Sequence, residues 1–243
     1  MNRGRLPAGD VAVSVLGSFG LYVEGKPRHD LPGGTQRLLA FLALRDRAVS
    51  RTALAGTLWP EASEEHAYAS LRSALSRLSA IQRTVVRVTF QELALADGVD
   101  VDIRDARLLA HRLLNPGAGR ESDVGDQAIA LLSADLLPDW YDDWAVVEAE
   151  EWRQLRLHAL DALAERLTAA GHYADATSAA LAAVKAEPLR ETAHAALIRV
   201  YLAEGNRAEA LAAYANYRAL LKSELGLEPT PLIQALIENS QQP

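Results

Sequence analysis

Apolar residues recur at every second position near the start of the chain. Val11, Val13 and Val15, then Phe19, Leu21 and Val23, alternate with small or polar neighbours, the pattern of strands with one buried face. Glycines at 17, 20 and 25 punctuate the run, so it predicts two short strands and a turn into Gly25-Lys26-Pro27. The period then lengthens. A helix from about Gly34 to Arg45 carries Leu38, Leu39, Leu42 and Ala43 on one stripe. A second starts at the N-cap Ser50, carries Leu54, Leu58 and Trp59, and stops at Pro60. A third starts at the N-cap Ser63, sets Glu64 and Glu65 at the positive end of its dipole, and runs to about Ile81. Residues 84–88 and 93–96 return to strand patterning, joined by a turn through residues 90–92. Strands, three helices and a hairpin, in that order, fit a winged helix-turn-helix.

The remainder is patterned almost wholly as helix. Asp102–Leu114 is amphipathic and ends at Asn115-Pro116-Gly117. Residues 127–137 predict a short helix stopped by Pro138, and a long helix follows over about residues 145–170. Beyond Gly171 the chain repeats itself at a spacing of 34: Gly171 with Gly205, Ala176 with Ala210, Ala179 with Ala213, Leu163 with Leu197, Leu167 with Tyr201. That is the period of tetratricopeptide repeats, whose helices cross closely where a side chain is small. Ala164, Gly171, Tyr173, Ala176, Ala183 and Pro188 fit the pattern. The second copy departs from it by carrying Tyr217 where the small residue belongs. The expected fold class is mainly α with small β-sheets, an N-terminal winged helix-turn-helix followed by an all-α tetratricopeptide-like domain. The expected division is a disordered leader over residues 1–10, the winged helix over 11–98 and the helical domain over 99–243.

Charge changes this picture in one respect. The 243 residues carry a net charge of −7 and a pI near 5.4, which taken alone disfavours a nucleic-acid partner. Residues 1–98, however, hold 12 basic and 9 acidic residues, a balance of +3, against 13 and 23 over residues 99–243. Absence of cysteine excludes disulfides, thiolate metal sites and a cysteine nucleophile. The longest stretch free of formal charge, residues 11–23, is too short and glycine-broken to span a bilayer. The N-terminus lacks the apolar core of a signal peptide, so the expected address is the cytoplasm, with no membrane partner.

Catalytic chemistry finds no foothold in the pattern. His29, His66, His111, His158, His172 and His194 are scattered and fall in no ligand spacing, and no phosphate-binding glycine loop exists. Asp139, Asp142 and Asp143 form an acidic cluster, read as helix N-terminal acids beside the core-filling Trp140 and Trp144 rather than as a metal site. No enzyme, cofactor or metal is expected. The third helix is more informative. At about 100° per residue, Ala67, Leu71, Ala74, Leu75 and Leu78 share a core face. The other side presents His66, Ala69, Ser73 and Ser76, flanked by Arg72 and Arg77. Small residues between arginines suit a major groove: serine reaches bases or phosphates, and arginine pairs with guanine or grips the backbone. The competing reading is that both arginines are simply solvated.

Val49-Ser50-Arg51, Leu58-Trp59-Pro60 and the run from Leu71 to Leu78 resemble the DNA-binding domain of the Streptomyces antibiotic regulatory protein family. VDVDIRDARLLA, DLLPDWYDDW, AEPLRETAHAALIRVYLAEGNRAEALAAY and ELGLEPTP resemble that family's bacterial transcriptional activation domain, so the similarity covers about residues 11–238. The resemblance implies a transcriptional activator that binds direct repeats of promoter DNA, two protomers head to tail as a homodimer on DNA, and contacts RNA polymerase. It points to control of secondary-metabolite genes. It also implies that the third helix reads DNA through Arg72, Ser73, Ser76 and Arg77, and that the turn of Trp59, Pro60, Glu61 and Ala62 faces polymerase. Thr35 and Arg37, near the first helix's start, and Arg83 and Arg87, around the wing, are the phosphate-contact candidates.

Two departures from the family pattern remove positive charge. The hairpin TVVRVTFQELALA is short and offers only Arg87, and Ser79 stands where a further basic residue is usual. Phosphate neutralisation supplies most non-specific affinity, so the grip on DNA is expected to need a second protomer, polymerase or a cognate site. The alternative is a protein-interaction adaptor whose winged helix no longer binds DNA strongly. A ligand-sensing helical domain is a third option, with no residue singling out a pocket.

Overall fold

Strand β1 (Val11–Ser14) buries Val11 and Val13 and pairs antiparallel with β2 (Gly20–Val23), Val13 lying opposite Leu21. The computed structural model of the protein describes residues 10–78, 81–115, 117–118, 120 and 123–241; most of the expected leader lies outside them. The turn through Glu24 and Gly25 has positive φ at both residues, which glycine adopts without strain, and it delivers β3 (Lys26–Pro27) beside β2.

Three helices follow as the apolar periods require. They are α1 (Gly33–Ala43), α2 (Arg51–Leu58) and α3 (Glu64–Ser76). Ser50 and Ser63 accept hydrogen bonds from the backbone N–H groups of Ala53 and His66, so both expected caps form. Leu38, Leu39 and Leu42 of α1, Leu54 and Leu58 of α2, and Ala67, Leu71, Ala74 and Leu75 of α3 close on one another as the core. A single helical turn, α4 (Gln82–Val85), then leads into β5 (Val86–Val88) and β6 (Glu92–Leu95). The expected strand over residues 84–88 therefore starts two residues late. The Thr84 hydroxyl donates to the Ile81 carbonyl three residues back, which favours the helical turn.

Two short strands escaped the sequence pattern. β4 (Val49–Ser50) pairs with β6, giving a sheet of order β4-β6-β5. β7 (Asp100–Val101) runs parallel to β1 and completes a four-stranded sheet, β3-β2-β1-β7. Asp102 fixes that return. Its carboxylate accepts hydrogen bonds from the Ser14 hydroxyl and the backbone N–H groups of Val15, Leu16 and Ile103. Burial pushes this carboxyl up from its usual range, and the four donors pull it back.

Helices α5 (Asp102–Leu114) and α6 (Asp126–Ser133) follow. The helix expected over residues 127–137 ends early. Gly17 N–H donates to the Asp135 carbonyl and Leu137 N–H donates to Val15, so strand-like pairing, with a bridge of Leu136 to Leu16, claims groups a helix would have used internally. Helix α7 (Asp143–Ala169) is the long helix, and α8 (Tyr173–Ala186), α9 (Glu191–Glu204) and α10 (Arg207–Leu225) form the repeat. Ala164, Ala176, Ala179, Ala183 and Ala210 are fully enclosed, as close helix crossings demand, and Gly171 and Gly205 end their helices in the left-handed region. Helix α11 (Pro231–Gln241) covers the last pair with Ile233 and Ile237.

The chain groups into two compact units, one of Met1–Asp105 with Asp135–Trp152, the other of Ala106–Ala134 with Arg153–Pro243. The boundary expected after residue 98 places β7 and the DWYDDW segment with the helical domain; in the structure β7 pairs with β1, Trp140 packs on Phe19 and Trp144 sets its edge against Phe41, and both segments fall within the first compact unit.

Candidate nucleic-acid interface

The exposed side of α3 is the place to begin, because its opposite side is spent on the core. Arg72, Ser73, Ser76 and Arg77 are all exposed, together with His66 and Ala69. The Ser76 hydroxyl donates to the Ser73 carbonyl at 2.8 Å, which leaves its lone pairs outward. Among the described residues neither Arg72 nor Arg77 forms an ion pair, whereas Arg28, Arg37, Arg45 and Arg87 of the same unit all do. Unpaired, solvated guanidinium groups beside small hydroxyl side chains leave their donors available to an incoming acceptor.

The other expected contacts fare differently. Thr35 is buried, and its hydroxyl donates to the Ala74 carbonyl at 3.1 Å; its backbone N–H donates to Pro32. It holds α1 against α3, with its hydroxyl and backbone N–H both engaged inside the fold. Arg37 is committed as well: Nε lies 2.9 Å from the Asp142 carboxylate. The expected acidic cluster is thereby split, since Asp142 neutralises Arg37, while Trp144 is buried beside it and Trp140, half-buried, packs on Trp144. Arg87 is exposed on β5 and faces Asp97 at 3.6 Å, a loose pair that water screens. The side chain of Arg83, like Ser79, lies outside the described residues.

The turn after α2 is closed by a hydrogen bond from Ala62 N–H to the Trp59 carbonyl. Pro60 and Glu61 are exposed at its crown, and Trp59 and Ala62 are half-buried beneath. Sequence reasoning gives Arg51 only as part of the family-like run and gives Tyr68 no role. Arg51 donates its N–H to the Gln91 carbonyl at 2.8 Å and its Nη2 to the Thr89 carbonyl at 3.3 Å, fastening the hairpin turn to the start of α2. The Thr52 and Tyr68 hydroxyls meet at 2.6 Å and join α2 to α3. Only their places beside a helix cap and on the polar side of α3 could have signalled this.

Two sheets framing three helices, with an arginine-bearing third helix and a short hairpin, define a winged-helix unit; the stacked helix pairs define a tetratricopeptide-like helical domain. The chain belongs to the bacterial transcriptional activator domain family, whose model matches residues 101–239, and with it to the Streptomyces antibiotic regulatory protein group of transcriptional regulators. It is 31% identical over 249 residues to Regulatory protein AfsR of Streptomyces coelicolor, covering 94% of this chain and 24% of that relative. It is 31% identical over 256 residues to Transcriptional regulatory protein EmbR of Mycobacterium tuberculosis, covering 94% of this chain and 63% of EmbR. The solved structure of Mycobacterium tuberculosis EmbR in complex with a low-affinity phosphopeptide superposes with a TM-score of 0.74 at 25% identity, over 97% of this chain and 66% of that one. The chain thus spans about a quarter of AfsR and under two thirds of EmbR. No helix among the described residues is long and apolar enough to cross a membrane.

Proposed function

We propose that the chain is a sequence-specific DNA-binding transcriptional activator that reads promoter DNA with α3 and is not an enzyme. The observation that carries the reading is the exposed side of α3, where Arg72 and Arg77 stand without ion pairs among the described residues, beside Ser73 and Ser76. Membership of a transcriptional-activator family supports it, as do relatives named as regulators. Ser63 caps α3 and the core side pins it, so the four side chains leave a fixed helix and binding requires no ordering of its backbone. Binding of two protomers to direct repeats and contact of Pro60 and Glu61 with RNA polymerase belong to the same proposal, as does control of secondary-metabolite genes.

Selection of binding sites from a random duplex pool, followed by footprinting with and without polymerase, tests the reading. A recurrent motif is expected, and Arg72→Ala and Arg77→Ala each cost about 1–3 kcal/mol of binding where they contact bases. A pool that enriches no motif at low salt overturns it. An adaptor role is the second reading, favoured by the short hairpin, whose residues 84–96 carry Arg87 alone as a cation. It requires a protein partner retained by the chain when promoter occupancy is absent.

A further inference from the structure

The first turns of α7 have two sides of opposite character. One is spent on the fold: Trp144, Ala145, Glu148 and Trp152 are buried, Trp144 sets its edge against Phe41, and Asp142 and Glu148 pair with Arg37 and Arg45 of α1 and the turn after it. On the other, Val146 and Val147 are 52% and 58% exposed, and Tyr141, just ahead of the helix, is 84% exposed. Val146 N–H donates to the Asp142 carbonyl, so Asp142 stands at the N-cap. Tyr141 and Val146 then occupy the two positions that commonly close on each other as an apolar staple. Here the staple stands open, on a helix start that three contacts hold in place. Three apolar side chains side by side in water are a patch that gains by being covered.

Charge decides what can cover it. Residues 135–152 hold seven acids and no Lys, Arg or His. Exposed Asp143 lies one turn before the valines, exposed Glu150 one turn after them on the same side, and exposed Glu151 at the flank. Phosphate backbones and anionic lipid headgroups are repelled by such a rim. A two-fold contact with a second copy would set the same acids against one another. We propose that this side of α7 docks a basic amphipathic helix of another protein, its apolar stripe on Tyr141, Val146 and Val147 and its Lys or Arg residues on the surrounding acids. Residues 143–151 extend about 13 Å along the axis, enough for two to three turns of such a helix. The inference is independent of the DNA-binding reading of α3.

The probe is a labelled helical peptide with a leucine stripe between lysines, carrying a photocrosslinking group. A peptide with glutamates for the lysines and a scrambled leucine–lysine peptide of the same composition serve for comparison. Anisotropy titrations against the full chain measure affinity, and mass spectrometry locates the crosslink. The leucine–lysine helix is expected to saturate one site, crosslink within residues 141–151, and bind about tenfold more tightly than either comparison peptide. Val146→Ser combined with Val147→Ser weakens it about tenfold. Asp143→Lys combined with Glu151→Lys turns the preference toward the glutamate peptide. All four side chains are exposed, so both double variants melt as the wild type does; Tyr141→Ser supplies a further removal should either not. A wild-type chain that binds none of the peptides, a crosslink elsewhere, or wild-type affinity in the valine and tyrosine variants overturns the proposal. A lysine preference that survives the charge reversal overturns it too. So does a dimer in sedimentation that the valine variant abolishes, since the second copy would then be the occupant.

Discussion

Asp123 shows how a buried acid can stay charged. Arg112 donates to it through both Nε and Nη2, and the Arg120 backbone N–H adds a third donor, while the carboxylate itself is almost wholly enclosed. Those donors hold its carboxyl below the usual carboxylate range, Arg112 being the main cause. The unfolded chain therefore takes up this proton at a higher pH than the folded one. Stability from the pair is complete above about pH 4 and is lost as pH falls through the folded value. Urea midpoints measured from neutral pH downward are expected to drop on that limb, and Asp123→Asn removes its share of the slope. An unchanged limb in that variant would assign the acid sensitivity to other carboxyls. Thr35 and Arg37 belong to the same scale. Their sequence positions near the start of α1 are right for phosphate contacts, but the Ala74 carbonyl and the Asp142 carboxylate claim them first. No local pattern reveals partners that far along the chain.

Among the elements, the repeat departs from its own rule at Tyr217 and makes use of the departure. The ring is buried and stacks on His194 with centroids 4.2 Å apart. Its hydroxyl reaches the Glu191 carboxylate at 3.5 Å, and burial pushes the phenol up to about 12, so it remains a donor. The same carboxylate accepts hydrogen bonds from the backbone N–H and hydroxyl of Thr230, just ahead of α11. Tyr217 thus fills the space between α9, α10 and α11 that an alanine would leave empty. Tyr217→Ala is expected to cost about 3–5 kcal/mol in urea unfolding, with faster amide exchange over α11. Tyr217→Phe, which keeps the ring, costs much less. Long elements such as α1, α3 and the repeat helices were legible because each buries a continuous stripe. The two-residue strands β4 and β7 were not, since β6 and β1 supply the reason for their shape.

On the scale of the whole molecule, charge follows the compact units and not the sequence halves. With residues 99–105 and Asp135–Trp152 included, the N-terminal unit carries 13 basic and 19 acidic residues, a balance of −6 in place of +3; the second unit carries 12 and 13, or −1. On the proposed reading, DNA bound by α3 would meet a few free arginines on an acidic unit. The salt dependence of binding should be correspondingly shallow, with a log–log slope of about −2 to −4, as two to four phosphate contacts require. Titrations across about 50–200 mM salt measure it; a slope steeper than about −6 would mean that cations outside α3 carry the grip. The discontinuity of that unit bears also on the order in which the chain is made. Emerging from its N-terminus, the chain presents α3 and the wing early, but Trp140 and Trp144, which cover Phe19 and Phe41, arrive only after the segment Ala106–Ala134 has been synthesised. The N-terminal unit is therefore left uncapped through that interval, and its completion waits on a stretch of chain that belongs to the other unit.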